Sequence, residues 1–298
     1  MKLAYYNGFT DSVSRCGATD TRRFMEENGL SLGEMFDVCV PGNIEGRTPR
    51  GGYAQSAQLC TETLLREPIE LACYSVGADF MRYGIEGTER ELLLHAERAA
   101  RLGSPVFHHT SVMGLDRAGL TEEPRAIIDR LLEPIARVGR RVCELGMIPV
   151  YEPQGLVFNG CESFGYFMRK INTDMGIKGA RVCMDFGNTR FLDTAPVEFL
   201  KEYLPLTAHV HLKDYRIMSV EEAKGADGEY NGYRSFNGAA IVGVPFFEGD
   251  SALREGIAML LEGGYGGAFA IESDMRGSGG RPRIADDARR VREIFKNI

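Results

Sequence analysis

Four polar residues close four successive apolar runs in the second half of the chain. Glu152 follows Ile148-Pro149-Val150-Tyr151, Asp185 follows Val182-Cys183-Met184, His211 follows His209-Val210, and Glu272 follows Phe269-Ala270-Ile271. Three carboxylates and one imidazole that converge would offer three hard oxygen ligands and one nitrogen. Such a set suits Mn²⁺, Mg²⁺ or Co²⁺, and Zn²⁺ less well, because hard carboxylates dominate and no thiolate takes part. Crowded carboxylates repel one another, and a divalent cation offsets that repulsion. One such residue alone is ordinarily a salt bridge or a hydrogen bond at a strand end. Four at the same end of consecutive strands point to a functional site.

These residues need strands to carry them, and the chain supplies an alternation. Short β-branched or apolar runs over 2–6, 35–40, 69–75, 105–110, 148–152, 181–185, 207–213 and 268–272 are bounded by Gly, Pro, Asn or Asp and predict eight strands. Stretches of helical period lie between them. Thr88 and Glu91 have capping-box spacing and open a helix that stops at Gly103. Thr121, with Pro124 in the first turn, opens a long helix whose apolar face runs from Ile128 to Leu145 and ends at Gly146. Asp250 caps another, and Ile284, Ala288, Val291 and Phe295 stripe the last. Weaker helical patterns cover 21–28, 53–66, 162–173 and 196–203.

Strands that alternate with helices through short connections pair in parallel. Eight such units in 298 residues predict a (βα)8 TIM barrel, a single α/β domain over 1–298 with an extended loop over about 215–249. An open doubly wound sheet is the rival, but no GxGxxG follows an early strand. In a closed parallel barrel the active site lies at the carboxyl ends of the strands, where the four polar residues fall.

Composition narrows the function. The balance is that of a globular protein, with 44% apolar and 26% charged residues. Thirty-five Lys and Arg against 42 Asp and Glu leave a net charge of −7, which disfavours a nucleic-acid partner, since phosphate-backbone affinity comes from cationic side chains. No apolar run is long enough for a membrane span and no signal-peptide pattern opens the chain. Seven cysteines without CxxC pairing, with Cys39, Cys73 and Cys183 inside apolar runs, predict buried free thiols and a cytoplasmic setting.

The segments Tyr151-Glu152-Pro153, Met184-Asp185-Phe186-Gly187-Asn188-Thr189, His209-Val210-His211-Leu212-Lys213-Asp214 and Gly264-Tyr265-Gly266-Gly267 running into Ile271-Glu272 resemble the xylose-isomerase-like barrel superfamily. The likeness is to its sugar phosphate isomerase/epimerase branch, with ketose 3-epimerases and inosose dehydratase as relatives. It implies one divalent metal, Mn²⁺ foremost, held by Glu152, Asp185, His211 and Glu272. It also implies that Glu152 and Glu272 act as acid and base beside a carbonyl of a small carbohydrate. The activity implied is that of a sugar isomerase or epimerase. The alternative is a lyase of the same barrel that removes water or a glycosidic leaving group after the same first step. The chain departs from the epimerase pattern at two places: Asn188 stands where that family has a substrate-binding His, and Phe158 where it has a Glu. The related abasic-site endonucleases need a zinc cluster with several more histidines, and this chain has five. A non-catalytic sugar-binding barrel is the remaining class.

Other residues join the candidate pocket. Lys213 shares a strand face with His211, where it can reach a substrate oxygen or pair with a carboxylate. Of His108 and His109, adjacent on one strand, one faces the mouth, and His109 is the candidate. Tyr6 ends the first strand. Arg216 and Arg234 can meet an anionic substrate, and the Gly-rich stretch 274–281, with Arg276 and Arg281, can bind a phosphate. Exposed barrel ends make a homodimer or homotetramer reasonable.

Overall fold

A computed structural model of the protein describes residues 1–48, 52–225, 232–274 and 280–296. The eight barrel strands are β1 (Lys2–Tyr5), β2 (Leu32–Val38), β3 (Leu71–Gly77), β4 (Val106–His109), β5 (Ile148–Tyr151), β6 (Arg181–Asp185), β7 (Thr207–Leu212) and, after three further strands, β11 (Ala268–Ile271). They close in the order β1-β11-β7-β6-β5-β4-β3-β2, all parallel, with Lys2 opposite Ala268 and Tyr5 opposite Ile271 at the seam. β3, LACYSVG, is buried at every position. That suits a strand with side chains inside the barrel on one face and helices on the other.

Around the barrel lie α1 (Phe9–Glu27), α2 (Tyr53–Arg66), the short α3 (Phe80–Tyr83), α4 (Ile85–Arg101), α5 (Pro124–Glu144), α6 (Gly165–Arg169), α7 (Pro196–Tyr203), α8 (Leu253–Glu262) and α9 (Gly280–Ile294). None is long and apolar enough to cross a membrane. The first helical stretch begins twelve residues before the expected 21, and Gly17, non-helical at φ 83° and ψ 167°, divides it into two helical segments that meet at a kink. The expected caps at Thr88 and Asp250 are corrected. Thr88 is buried within α4, and the Glu91 carboxylate instead accepts the backbone N–H of Gly42 and Ile44 in the loop after β2. Asp250 accepts the backbone N–H of Ile217, and α8 starts three residues later. The segment around 162–173 forms π turns flanking α6 rather than one regular helix.

The loop over 215–249 is not structureless. β8 (Tyr215–Met218), β9 (Tyr233–Arg234) and β10 (Ala240–Gly243) form an antiparallel sheet with β10 in the middle. Phe191, Tyr215 and Tyr233 pack in edge-to-face and tilted pairs there, with ring centroids 5.3–6.1 Å apart, and wall one side of the barrel mouth. All seven cysteines are free, and Cys39, Cys60, Cys73 and Cys183 are buried.

Candidate metal centre

Strand parity decides what reaches the barrel interior, because successive side chains alternate faces. On β4, Val106 packs inward with Val150 of β5 and Cys183 of β6. His108 shares that inward parity with Val106, Glu152 with Val150, and Asp185 with Cys183. His209, His211 and Lys213 line up along β7, and Glu272 follows β11 two residues beyond the inward Ala270. The four residues singled out by their strand ends therefore meet at the carboxyl end of one barrel.

They meet on one nitrogen. His211 Nδ1 lies 3.2 Å from Glu152 Oε2, 3.1 Å from Glu272 Oε2 and 3.9 Å from Asp185 Oδ2. One ligand atom each from Glu152, Asp185 and His211 falls within a 4.8 Å span. Asp185, His211 and Glu152 are buried, and Glu272 is nearly so. Lys213 Nζ lies against both flanking acids, 3.0 Å from Asp185 Oδ2 and 2.5 Å from Glu272 Oε1, and donates to Asn188 Oδ1 at 3.2 Å. Asn188 in turn gives its backbone N–H to Asp185 Oδ1. The Tyr6 ring stacks on His211, 4.8 Å between centroids at 24°.

Electrostatics sorts these groups. Burial holds the Asp185 carboxyl above its usual range despite Lys213. Burial pushes Glu272 the same way, but Lys213 and His211 outweigh it and bring its carboxyl below the usual range. Burial opposes charge on His211 as well, yet Cys183, Glu34 and Glu152 around it raise its pKa well above that of a free imidazole. Lys213, desolvated but facing Asp185 and Glu272, keeps its proton.

A carboxylate that sequence reasoning overlooked lies beneath this cluster. Glu34 on β2 is fully buried. It accepts from His209 Nε2 at 2.8 Å, His211 Nε2 at 3.0 Å and Ser75 Oγ at 2.5 Å. Burial opposes its charge, but His209 and His211 hold the carboxyl well below its usual pKa. The expected strand began at Met35, which left Glu34 in a loop. The signal was a charged residue inside an apolar run, since β2 starts at Leu32. A register shift between Gly33 and Glu34 marks the place.

Three expected pocket residues are corrected. His109 is buried but faces outward, its Nδ1 on the Thr110 carbonyl and its ring edge-on to Tyr151, because parity gives the inward place to His108. Arg216 is the exposed residue of β8 and donates to the Glu248 carbonyl, outside the cavity lining. Arg281 binds Asp20 at 2.7 Å and Ser12 at 2.6 Å, so it ties α9 to α1. Arg276 lies outside the described residues. Arg234 sits on β9, opposite Ala240. Phe158 is buried against Phe167, 5.0 Å between rings.

A cavity of about 580 Å³ opens above the cluster. Tyr6, His108, Glu152, Asn188, Lys213 and Glu272 line its floor, and Phe36, Met113, Leu115, Phe191 and Tyr233 are among its walls. The donor set fits a divalent cation. Glu34 receives the Nε2–H of His211, which turns the other ring nitrogen toward three carboxylates, the arrangement that metal-bound imidazoles show.

No protein-family model matches the chain. An inosose dehydratase of Bacillus licheniformis is 25% identical over 274 residues, 89% of this chain and 84% of that protein. A xylose isomerase-like TIM barrel protein of Mycobacterium smegmatis, solved in complex with magnesium, superposes with a TM-score of 0.66 at 17% identity, over 98% of this chain and 95% of that one. A D-allulose 3-epimerase of Methylomonas sp. superposes with a TM-score of 0.67 at 10% identity, over 99% and 98%. By fold, the protein is a closed eight-stranded parallel TIM barrel, similar to the xylose isomerase-like TIM barrel proteins among these structures.

Proposed function

We propose that the protein is an enzyme that removes a proton from the carbon beside a carbonyl of a small, uncharged, polyhydroxylated keto compound. The observation that carries this is the pair Glu152 and Glu272. Both line the cavity, both reach His211 Nδ1, and they come from β5 and β11, which flank β6 and β7 in the barrel. Each keeps its second oxygen elsewhere, Glu152 Oε1 beside His108 and Glu272 Oε1 on Lys213.

Glu152, Asp185, His211 and Glu272 would hold a divalent cation, Mn²⁺ by preference, which supplies Lewis-acid polarisation of the carbonyl. One glutamate takes the α-proton, and in an isomerase or epimerase the other returns it from the other side. Lys213, kept protonated by its acidic neighbours, donates to the oxygens where negative charge collects. Among the described lining residues Lys213 is the only Lys or Arg, and its contacts are with Asp185, Glu272 and Asn188. That favours an uncharged polyol over a sugar phosphate.

The whole-length likeness to an inosose dehydratase favours a second outcome of the same first step, loss of a β-hydroxyl as water. Incubation of the Mn²⁺-loaded protein with ketoses and keto-inositols in D₂O tests both. Solvent deuterium enters the substrate or product in either case. A stereoisomer then identifies an epimerase, and an unsaturated or diketo product identifies a dehydratase. Glu152→Gln and Glu272→Gln lower the exchange rate ~10²–10⁴-fold. Full turnover by Glu152→Gln removes the acid–base assignment.

A further inference from the structure

We infer that His108 presents a bare Nε2 to the cavity and recognises the substrate by accepting a hydrogen bond from one of its hydroxyls. This rests on the proposed polyol chemistry of the same site.

His108 is 2% exposed and lines the cavity, and its Nε2 has no hydrogen-bond partner. Its Nδ1 lies 3.2 Å from Ser75 Oγ, and Ser75 Oγ lies 2.5 Å from Glu34 Oε1. The direction of this chain is fixed at its far end. Glu34 faces an imidazole nitrogen on each of its two oxygens, and the Ser75 hydroxyl donates to Oε1. The Ser75 proton therefore points at Glu34. The Ser75 oxygen can then only accept along the His108 line, so Nδ1 carries the hydrogen. A neutral imidazole has one N–H, which leaves Nε2 as an acceptor. Nε2 makes no hydrogen bond to the Glu152 carboxylate beside it, as an N–H there would, so the ring carries its one hydrogen on Nδ1.

Nε2 faces Glu152 Oε1 across 3.5 Å. Two acceptors at that separation lack a donor. Neighbouring hydroxyls of a polyol supply one to each. An ether or a deoxy carbon supplies none, and a site built around a hydroxyl discriminates strongly against its absence.

The test is calorimetric binding of myo-inositol and its mono-deoxy and mono-O-methyl derivatives to the Mn²⁺-loaded protein. Three forms are compared: wild type, His108→Asn and His108→Gln. The Asn amide can still meet Ser75 but reaches no further, whereas the Gln amide oxygen can take the place of Nε2. The expected result is a ~10–100-fold loss of myo-inositol affinity in His108→Asn and partial recovery in His108→Gln. One deoxy position costs the wild type the same factor and costs His108→Asn nothing further. Mn²⁺ affinity stays within about twofold in all three, which separates recognition from damage to the metal site. Unchanged myo-inositol affinity in His108→Asn overturns the inference, as does a wild type that binds no polyol. Loss of deuterium exchange with His108-dependent polyol binding intact removes the catalytic assignment and leaves this one standing.

Discussion

Glu34→Gln probes whether the buried carboxylate sets the metal site from below. Glu34 accepts three hydrogen bonds, from His209, His211 and Ser75, on two oxygens. Glutamine has one carbonyl oxygen and one NH₂ group. Whichever way the amide turns, its NH₂ meets a group that was donating. Either the His211 ring flips its tautomer, placing a hydrogen on the nitrogen that faces Glu152, Asp185 and Glu272, or it tilts away. Partners of this kind change metal affinity 10–100-fold, equivalent to about 1.4–2.7 kcal/mol. A lost hydrogen bond to a charged group costs about 1.5–3 kcal/mol of fold stability as well. Isothermal titration of Mn²⁺ into metal-stripped protein reads the first quantity, and thermal melting without metal reads the second. Mn²⁺ affinity within about threefold of wild type, in a variant that melts normally, would refute the argument that Glu34 orients His211.

Metal binding is expected to strengthen with pH. His211 holds a proton in the metal-free fold because its pKa is raised, and a cation needs the lone pair on Nδ1. Affinity should rise about tenfold per pH unit until the raised value is passed, and titrations in buffers of different ionisation heat should show a proton released; a flat profile counts against His211 as a ligand. The same shift stabilises the metal-free fold below the usual imidazole value of about 6.5, and that gain is lost as pH rises through the folded value. Gly256→Ala puts a Cβ 1.9 Å from the Phe186 ring, next to Asp185, and is expected to cost about 1–3 kcal/mol, read as a lower Tm. Arg281→Ala removes the bonds to Asp20 and Ser12 and should cost about 1 kcal/mol while leaving polyol binding unaltered; a loss of binding would place Arg281 in the pocket after all.

The alternation of runs and helical periods carried most of the fold. β6 spans the expected 181–185, and α2 and α7 occupy 53–66 and 196–203 as expected. Those features are local, since an apolar run or a 3.6-residue period is written in neighbouring residues. Helix starts were less legible. Thr88 and Asp250 have capping chemistry, but what Glu91 and Asp250 bond is decided by segments distant in the chain. The sheet β8-β10-β9 lies in a stretch of Gly, Tyr, Phe and Asn that has no clear period.

The sequence by itself determined the architecture and the four polar strand ends, Glu152, Asp185, His211 and Glu272, because strand length and parity bring such positions to one barrel mouth. Tertiary structure decided what each of them faces. It gave the inward place on β4 to His108 rather than His109, and it sent Arg216 and Arg281 to other partners. It put Glu34, 118 residues before Glu152 in the chain, under the imidazole that completes the site. Hydrogen-bond direction through Glu34, Ser75 and His108 depends on groups from β2, β3, β4 and β7 meeting inside one closed sheet. No local pattern encodes such a meeting; only barrel closure creates it.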